Sequence, residues 1–202
     1  MAADFILVDT SVLSEARKIA GELNDDIVFF LRQIPAGALA VPQAAVFELQ
    51  RGASMIARTR PSRGRAYSQW LDDLLATDAW LPPVDAPVRR LLAQMTTEPD
   101  LIQFWIDPRK EPTMRFGCDP EIAATAIVHG LPIASTDVTD FLKIHRHFPL
   151  PGLYCPIGGR WHVRPPEGWS LGESFEASDG DWRRVIGPIE YYDDDASPKP
   201  KL

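Results

Sequence analysis

The feature that most constrains the fold is the N-terminal stretch, where four apolar residues run directly into three polar ones. Residues 5–8 read Phe-Ile-Leu-Val, and Asp9, Thr10 and Ser11 follow them. A short apolar run with β-branched residues is typical of a buried central strand in a parallel sheet. Ligands of such sheets bind in the crevice beyond the carboxyl ends of the strands, where Asp9 is expected to lie. Asp9 can therefore hold a metal ion, act as a nucleophile, or cap the following helix.

The rest of the chain alternates helical and extended patterns. Helical periodicity covers residues 24–34, 43–59, 62–77, 86–95 and 122–129, and short apolar runs at 39–42, 79–81, 131–134 and 152–155 indicate strands. Strands that alternate with helices predict an α/β fold with a mostly parallel sheet. Residues 96–118 fit neither pattern, and we expect a long loop or a broken helix there.

A second polar triplet, Ser135-Thr136-Asp137, follows a predicted strand in the way that the first triplet follows residues 5–8. Because parallel strands end at the same edge of a sheet, Asp9 and Asp137 are expected to share that edge. Asp119 begins the helix that leads back to the strand before Asp137, so it can face the same edge. Glu48 lies within a helix between small residues, which suggests a close approach to the sheet.

Each acid also has a structural explanation. Asp119 precedes a proline and can be a helix N-cap, whereas Glu48 can be a solvated residue that pairs with Arg51. Asp137 and Asp140 can be turn residues. If the four acids Asp9, Glu48, Asp119 and Asp137 converge, however, they repel one another unless a cation neutralises them. A set of oxygen ligands favours Mg²⁺ or Mn²⁺ over zinc.

Composition narrows the class of protein. The chain has 202 residues, is 45% hydrophobic and carries a formal net charge of −7. These values predict one domain with an adequate core, and they argue against a surface that is basic throughout. Cys118 and Cys155 are too few for a disulfide framework. Because the chain shows neither an apolar run of membrane-spanning length nor a basic N-terminal signal, we expect a cytoplasmic protein with no membrane partner.

Four stretches resemble, in order, the motifs of the PIN-domain ribonucleases, specifically the VapC-like toxins of bacterial toxin–antitoxin pairs. They are Ile6 to Glu15, Val46 to Gly52, Asp119 to Leu131, and Ser135 to Phe141. The resemblance covers roughly residues 4–157 and implies a three-layer PIN-like fold, with a mostly parallel central sheet flanked by helices. It also implies an endoribonuclease that hydrolyses RNA phosphodiester bonds.

The resemblance further implies roles for individual residues. Asp9, Glu48, Asp119 and Asp137 form the acidic quartet, and Asp9 and Asp119 are the metal ligands for Mg²⁺ or Mn²⁺. Glu48 or Asp137 positions or deprotonates the attacking water. Ser135 supports the site by hydrogen bonding, and the neighbouring Asp140 is counted with it. The implied partners are an RNA substrate such as tRNA, a small cognate antitoxin and a second copy of the chain.

One basic stretch offers phosphate contacts. No acid lies between Glu48 and Asp72, and this interval contains Arg51, Arg58, Arg60, Arg63 and Arg65. We expect Arg58, Arg60 and Arg63 at the tip of a helix–turn–helix, where they bind phosphate or form a solvated basic face. Arg17 and Lys18 follow Asp9 by little more than two turns and are expected nearer the scissile phosphate. The four histidines match no metal-ligand spacing, so we expect no catalytic role for them.

Three other functions make different demands on these residues. A phosphatase of the haloacid-dehalogenase type needs a second Asp two residues after Asp9, where this chain has Ser11. A Rossmann cofactor-binding protein needs a glycine-rich turn after the first strand, and none is present. A non-catalytic protein-binding module of α/β fold, whose acids are only helix caps, remains the alternative.

The predicted domain boundary lies at residue 157. Residues 1–157 form the PIN-like nuclease domain, and 158–202 form a C-terminal extension that is aromatic and then acidic from about residue 193. Disordered segments are poor in aromatic residues, so we expect the aromatic part to pack on the domain, with 183–187 able to add to a sheet edge. The acidic end is expected either near the arginine stretch, in competition with RNA, or in a purely structural wrap.

Overall fold

A computed structural model describes residues 5–18, 21–106, 116–171 and 180–189. Five strands form one sheet: β1 (Ile6–Val8), β2 (Leu39–Ala40), β3 (Ile133–Ala134), β4 (Leu153–Cys155) and β5 (Arg160–Val163). Their order is β2-β1-β3-β4-β5, with β5 antiparallel to β4 and the other pairs parallel. The first strand is therefore central, as the sequence predicts.

Seven α-helices flank this sheet in the described part of the chain. They are α1 (Thr10–Ala16), α2 (Asp25–Gln33), α3 (Gln43–Ala57), α4 (Pro61–Leu75), α5 (Ala86–Thr96), α6 (Cys118–His129) and α7 (Val138–His147). Ile6 and Val8 point into one core with α1, α2 and α4, whereas Leu7 points into a second core with α5, α6 and α7. Both faces of β1 are thus covered, which explains its uninterrupted apolar sequence. The predicted three-layer α/β fold is confirmed.

The predicted strand at 79–81 differs from the structure, whereas the prediction of a loop or broken helix at 96–118 agrees with the part of that region that is described. Residues 79–81 do not form a full strand, because only Trp80 makes a parallel bridge, to Ala40. The region 96–118 contains a 3₁₀-helix, Pro99–Phe104, whose Leu101 and Phe104 are buried. The remainder of that region, 107–115, lies outside the described residues, as does the acidic end of the chain.

The described parts of the C-terminal extension pack on the preceding domain, as expected. Trp182 is 1% exposed, and its indole nitrogen donates to the Pro35 carbonyl at 3.4 Å. Trp70 donates in turn to the Val185 carbonyl at 2.8 Å. The strand that adds to the sheet edge is β5, whereas 182–185 form a 3₁₀-helix, so the sheet-edge prediction for 183–187 was wrong. The boundary at residue 157 stays a prediction. No helix in the described ranges is long and apolar enough to cross a membrane.

Candidate functional site

Asp9 lies where β1 ends and α1 begins, and it is 1% exposed. Its carboxylate accepts hydrogen bonds from the Thr10 backbone at 2.7 Å, the Ser11 hydroxyl at 2.7 Å and the Ser135 hydroxyl at 2.6 Å. The bond from Thr10 caps α1, while the two serines hold the other oxygen. Asp9 is therefore both a cap and a fixed carboxylate at the edge of the sheet.

The two serines join the first and second polar triplets. Val8 pairs with Ala134 in the parallel register, which places Asp9 beside Ser135. Ser11 accepts a bond from the Thr136 backbone at 3.1 Å, and Ser135 accepts one from the Asp137 backbone at 2.9 Å. The hydrogen bond expected of Ser135 is thus present. Sequence reasoning did not single out Ser11, although its place in the first triplet was the available signal.

Asp119 is not a helix cap. Helix α6 begins at Cys118, and its N-cap is Gly117, which has a left-handed backbone with φ of 62° and no side-chain capping bond. A Cβ at Gly117 would lie 2.5 Å from the indole nitrogen of Trp105, so only glycine fits there. Asp119 consequently lies in the first turn of α6, where its carboxylate is not used by the helix end.

Burial and mutual repulsion perturb the acids of this site. Burial raises the pKa of Asp9 to about 6, although the bonds from Ser135 and Ser11 oppose the shift. Burial also raises the pKa of Asp119 to about 8, and the negative charges of Asp9, Glu48 and Asp137 add to it. The acids predicted from four separate motifs therefore interact in one electrostatic cluster.

A neutral donor holds Glu48, because the Thr10 hydroxyl donates to its carboxylate at 2.6 Å. Burial raises the pKa of the nearby Cys118 thiol, and the negative charge of Glu48 adds to that shift. Among the described residues no ion pair joins Glu48 to Arg51, so the surface-pair explanation was wrong. Thr10 and Cys118 are further site residues that sequence reasoning missed, although each is adjacent to a predicted acid.

Asp137 occupies the N-cap position of α7 without forming a side-chain capping bond. Burial and the charge of Asp140 raise its pKa. Asp140 itself pairs with Lys143 at 2.7 Å. The carboxylate of Asp137 is thus directed neither to its own helix nor to a cation in the described ranges.

The four acids fit a divalent cation. Within the described part of the chain, none of Asp9, Glu48, Asp119 and Asp137 belongs to an ion pair. Clustered, desolvated carboxylates with raised pKa values are stabilised by a bound cation. No three of them bring ligand atoms within 4.8 Å of one another. Mg²⁺ keeps several waters and is held by one or two carboxylates, so it does not need three converging carboxylates.

A second group of metal-ligating side chains lies elsewhere. Glu98, Asp100 and His147 form the one set in the described ranges whose ligand atoms lie within 4.8 Å, and it could hold a metal ion. His147 places Nδ1 3.6 Å from Glu98 and Nε2 3.1 Å from Asp100. Both ring nitrogens thus face carboxylates. This group, which we call the His147 cluster, was missed because its members are distant in sequence.

Arg17 and Lys18, which were predicted to bind phosphate near Asp9, each contact other residues of the chain. Arg17 is 9% exposed, donates to the Leu49 carbonyl at 3.2 Å and stacks 4.5 Å from the Tyr67 ring centroid. Burial lowers its pKa. Lys18 forms an ion pair with Glu15. Arg17 therefore packs between helices, and contact of either residue with a phosphate stays a prediction.

The arginine stretch forms a tip, as expected. Arg58 and Arg60 are exposed in the turn between α3 and α4. Arg63 donates to the Tyr67 hydroxyl at 2.9 Å and lies over that ring. Arg58 follows Glu48 by ten positions, which is about 15 Å along α3 at 1.5 Å per residue.

Known proteins share this architecture. A scan against protein-family models and a search of curated proteins each found no match. Among solved structures, a chain of FitAcB from Neisseria gonorrhoeae is similar with a TM-score of 0.51 and 24% identity, over 69% of this chain and 92% of that one. A chain of VapBC2 from Rickettsia felis, bound to a DNA fragment from its promoter, gives a TM-score of 0.50 and 15% identity, over 78% and 98%.

The chain has a PIN-like fold. The structural similarity extends over nearly the whole of both neighbours, and the topology agrees with the fold implied by the four sequence motifs. At these identities the similarity concerns the fold, so the roles of individual residues rest on the geometry of the site.

Proposed function

We propose that this protein is a Mg²⁺- or Mn²⁺-dependent endoribonuclease of the VapC-like toxin kind. The observation that carries the proposal is the acidic cluster at the carboxyl edge of the sheet. There, Asp9 and Asp119 have raised pKa values, and no cation of the described residues balances them. The PIN-like fold shared with FitAcB and VapBC2 supports it.

In the proposed mechanism Asp9 and Asp119 hold the ion. The ion supplies a Lewis acid for the phosphodiester and lowers the pKa of a bound water. Glu48 or Asp137 would orient or deprotonate the attacking water. Ser135 keeps Asp9 in position through its 2.6 Å bond. Asp140 adds negative charge next to Asp137, and it forms an ion pair with Lys143.

The proposal includes partners. An RNA such as tRNA is the substrate, and its backbone is drawn to the exposed Arg58 and Arg60 because guanidinium groups match phosphate oxygens. A small cognate antitoxin and a second copy of the chain are the proposed protein partners. The proposed site of action is the cytoplasm, where the free thiols of Cys118 and Cys155 remain reduced.

The alternative function is a non-catalytic binding module whose acids are helix caps. Asp9 does cap α1. Asp119 and Asp137, however, make no capping bonds with their side chains. The geometry of these two acids therefore favours the enzyme over the binding module.

The experiment is cleavage of total RNA and of tRNA by the full chain with Mg²⁺ or Mn²⁺, with chelator, and with metal restored. We expect cleavage that needs the metal and that Asp9→Asn lowers more than about 100-fold, since even the loss of a residue that only orients a metal ligand costs about 10–100-fold. Circular dichroism checks that the variant is folded. Metal-independent cleavage, or full activity of Asp9→Asn, contradicts the proposal. A binding module would show neither cleavage nor a metal-dependent change in melting temperature.

A further inference from the structure

Two phenylalanine rings stack on the surface beside the acidic cluster. Phe47 and Phe116 are 44% and 49% exposed, and their ring centroids lie 5.1 Å apart in an edge-on contact. Half-exposed aromatic rings sacrifice hydrophobic stabilisation, so such a pair indicates a surface that something covers. Phe47 comes from α3, and Phe116 from the segment that leads into α6.

An arginine belongs to the same surface. The Arg51 guanidinium carbon lies 5.1 Å from the centroid of the Phe116 ring, one turn of α3 beyond Phe47. Arg51 is exposed, and no ion pair of the described residues includes it. A guanidinium stacked on a ring keeps its edges available to phosphate oxygens. We call Phe47, Arg51 and Phe116 the aromatic platform.

The platform is continuous with the acidic cluster. Phe47 directly precedes Glu48, and Cys118, which directly precedes Asp119, lines a cavity of about 330 Å³ together with Phe47, Phe116 and Gln43. That volume is at the low end of ligand pockets, about 300–1,000 Å³. A ligand in this cavity would touch both rings and approach the proposed catalytic acids.

Phe116 is placed by tight backbone packing. Gly117 adopts the left-handed conformation against the Trp105 indole, at a contact that leaves no room for a Cβ. The turn before α6 is therefore fixed, and with it the direction in which the chain presents Phe116. A ring held this way is preorganised, which lowers the entropy cost of stacking a ligand on it.

We propose that the aromatic platform stacks an unpaired nucleobase of the RNA next to the phosphodiester that is cut, an inference that rests on the proposed ribonuclease function. Single-stranded RNA is recognised by stacking its splayed bases on aromatic rings and arginine planes. Arg51 binds the adjoining phosphate, and the Gln43 amide, at the wall of the cavity, contacts the edge of the base. The platform thereby selects single-stranded segments and sets which nucleotide lies at the acids.

The test uses a short single-stranded RNA with one 2-aminopurine, whose fluorescence is quenched by stacking. Titrated with chelator present, so that no cleavage occurs, the full chain should quench the probe. Phe47→Leu and Phe116→Leu, which keep apolar bulk but lose the aromatic face, should each weaken binding about 5- to 150-fold. Phe116→Trp should keep the quenching. Phe29→Leu is the matched control, because Phe29 is 68% exposed on α2 and belongs to no part of the platform.

Several outcomes overturn the inference. These are absence of binding or quenching by the full chain, unchanged affinity in both leucine variants, or conversion of a dimer to a monomer by Phe116→Leu in sedimentation. The last result would identify the platform as an interface between copies. Quenching without any metal-dependent cleavage would support the platform and contradict the proposed ribonuclease function. Cleavage of the same probe without quenching would support the proposed ribonuclease function and contradict the role of the platform.

Discussion

Helix α7 has a group of acidic side chains at each end. The two groups differ in burial and in whether a basic side chain lies among the carboxylates. At its N-terminal end, Asp137 faces Asp9 and Asp119, whose desolvated carboxyls have raised pKa values. At its C-terminal end, the exposed Asp100 and the partly buried Glu98 flank His147. The ligand atoms are closer together in the second group, yet that group lies nearer the surface and includes a basic side chain, His147.

We infer from this comparison that the burial of carboxylates indicates a metal site better than the proximity of ligand atoms does. Carboxylates in water with a basic partner are already stabilised, and a surface ion pair contributes little beyond that, about 0–1 kcal/mol. Buried carboxylates without a partner are held at a free-energy cost that a bound divalent cation offsets. The proposed catalysis therefore belongs to the acidic cluster, and we expect a structural role for the His147 cluster.

The largest expected effect separates the two groups by activity. Asp119→Asn should lower metal-dependent RNA cleavage more than about 100-fold, because it removes a ligand charge. Asp100→Asn makes the same chemical change in the His147 cluster and should leave the rate within about twofold. Initial rates on one RNA substrate, measured with Mn²⁺, compare the variants. Equal losses would reverse the assignment of the two groups.

The RNA path gives the second effect. Arg58→Gln with Arg60→Gln should weaken RNA binding and reduce the slope of log affinity against log salt by about two, since each phosphate contact contributes about one. Arg146→Gln, beside the His147 cluster, is the control and should leave the slope unchanged. Filter binding over a range of salt measures both. An unchanged slope in the double variant would show that the tip is only a solvated face.

A third effect is the pH dependence of the metal-free protein. The folded pKa values of Asp9 and Asp119, about 6 and about 8, lie above the ordinary 3.8, so the folded state binds protons more tightly than the unfolded state. The free energy of unfolding should therefore fall as the pH rises from about 4 to about 8. Mn²⁺ should reverse this fall and raise the melting temperature most at the upper end.

Asp119→Asn should flatten this pH profile and remove much of the Mn²⁺ response, whereas Asp100→Asn should alter neither. Melting curves at fixed ionic strength, with and without Mn²⁺, make the comparison. A Mn²⁺ response that survives Asp119→Asn and disappears in Asp100→Asn would place the ion in the His147 cluster.

The smallest effect concerns His147. Replacement by Gln removes the bridging imidazole, and we expect a loss of less than about 1 kcal/mol in the free energy of unfolding, because the partners remain accessible to water. Cleavage should not change. Chemical denaturation measures the loss, and a much larger value would show that the cluster holds α7 against the 3₁₀-helix Pro99–Phe104.

Local sequence patterns were sufficient for much of the fold. Four apolar residues before Asp9 predicted the central strand, because a strand covered on both faces needs apolar side chains at every position. The second triplet predicted the neighbouring strand and placed Asp137 at the same edge. Most helix boundaries followed from periodicity and from glycine and proline, but α6 begins at Cys118 and not at Ile122. The C-terminal extension was predicted less well. The strand Arg160–Val163 forms at the edge of the sheet because it pairs with β4, and the sequence pattern did not indicate that pairing.

What the sequence determined alone was the identity of the acids and the edge of the sheet at which they lie, since both follow from chain direction and period. Only the tertiary structure decided which acids have a basic side chain beside them and which do not. The sequence around Asp119 also fits a helix N-cap, but in the structure Gly117 occupies that position and α6 begins at Cys118. The His147 cluster and the aromatic platform join residues far apart in the chain. Burial and opposing charge are properties of the packed chain, so no local pattern reports them.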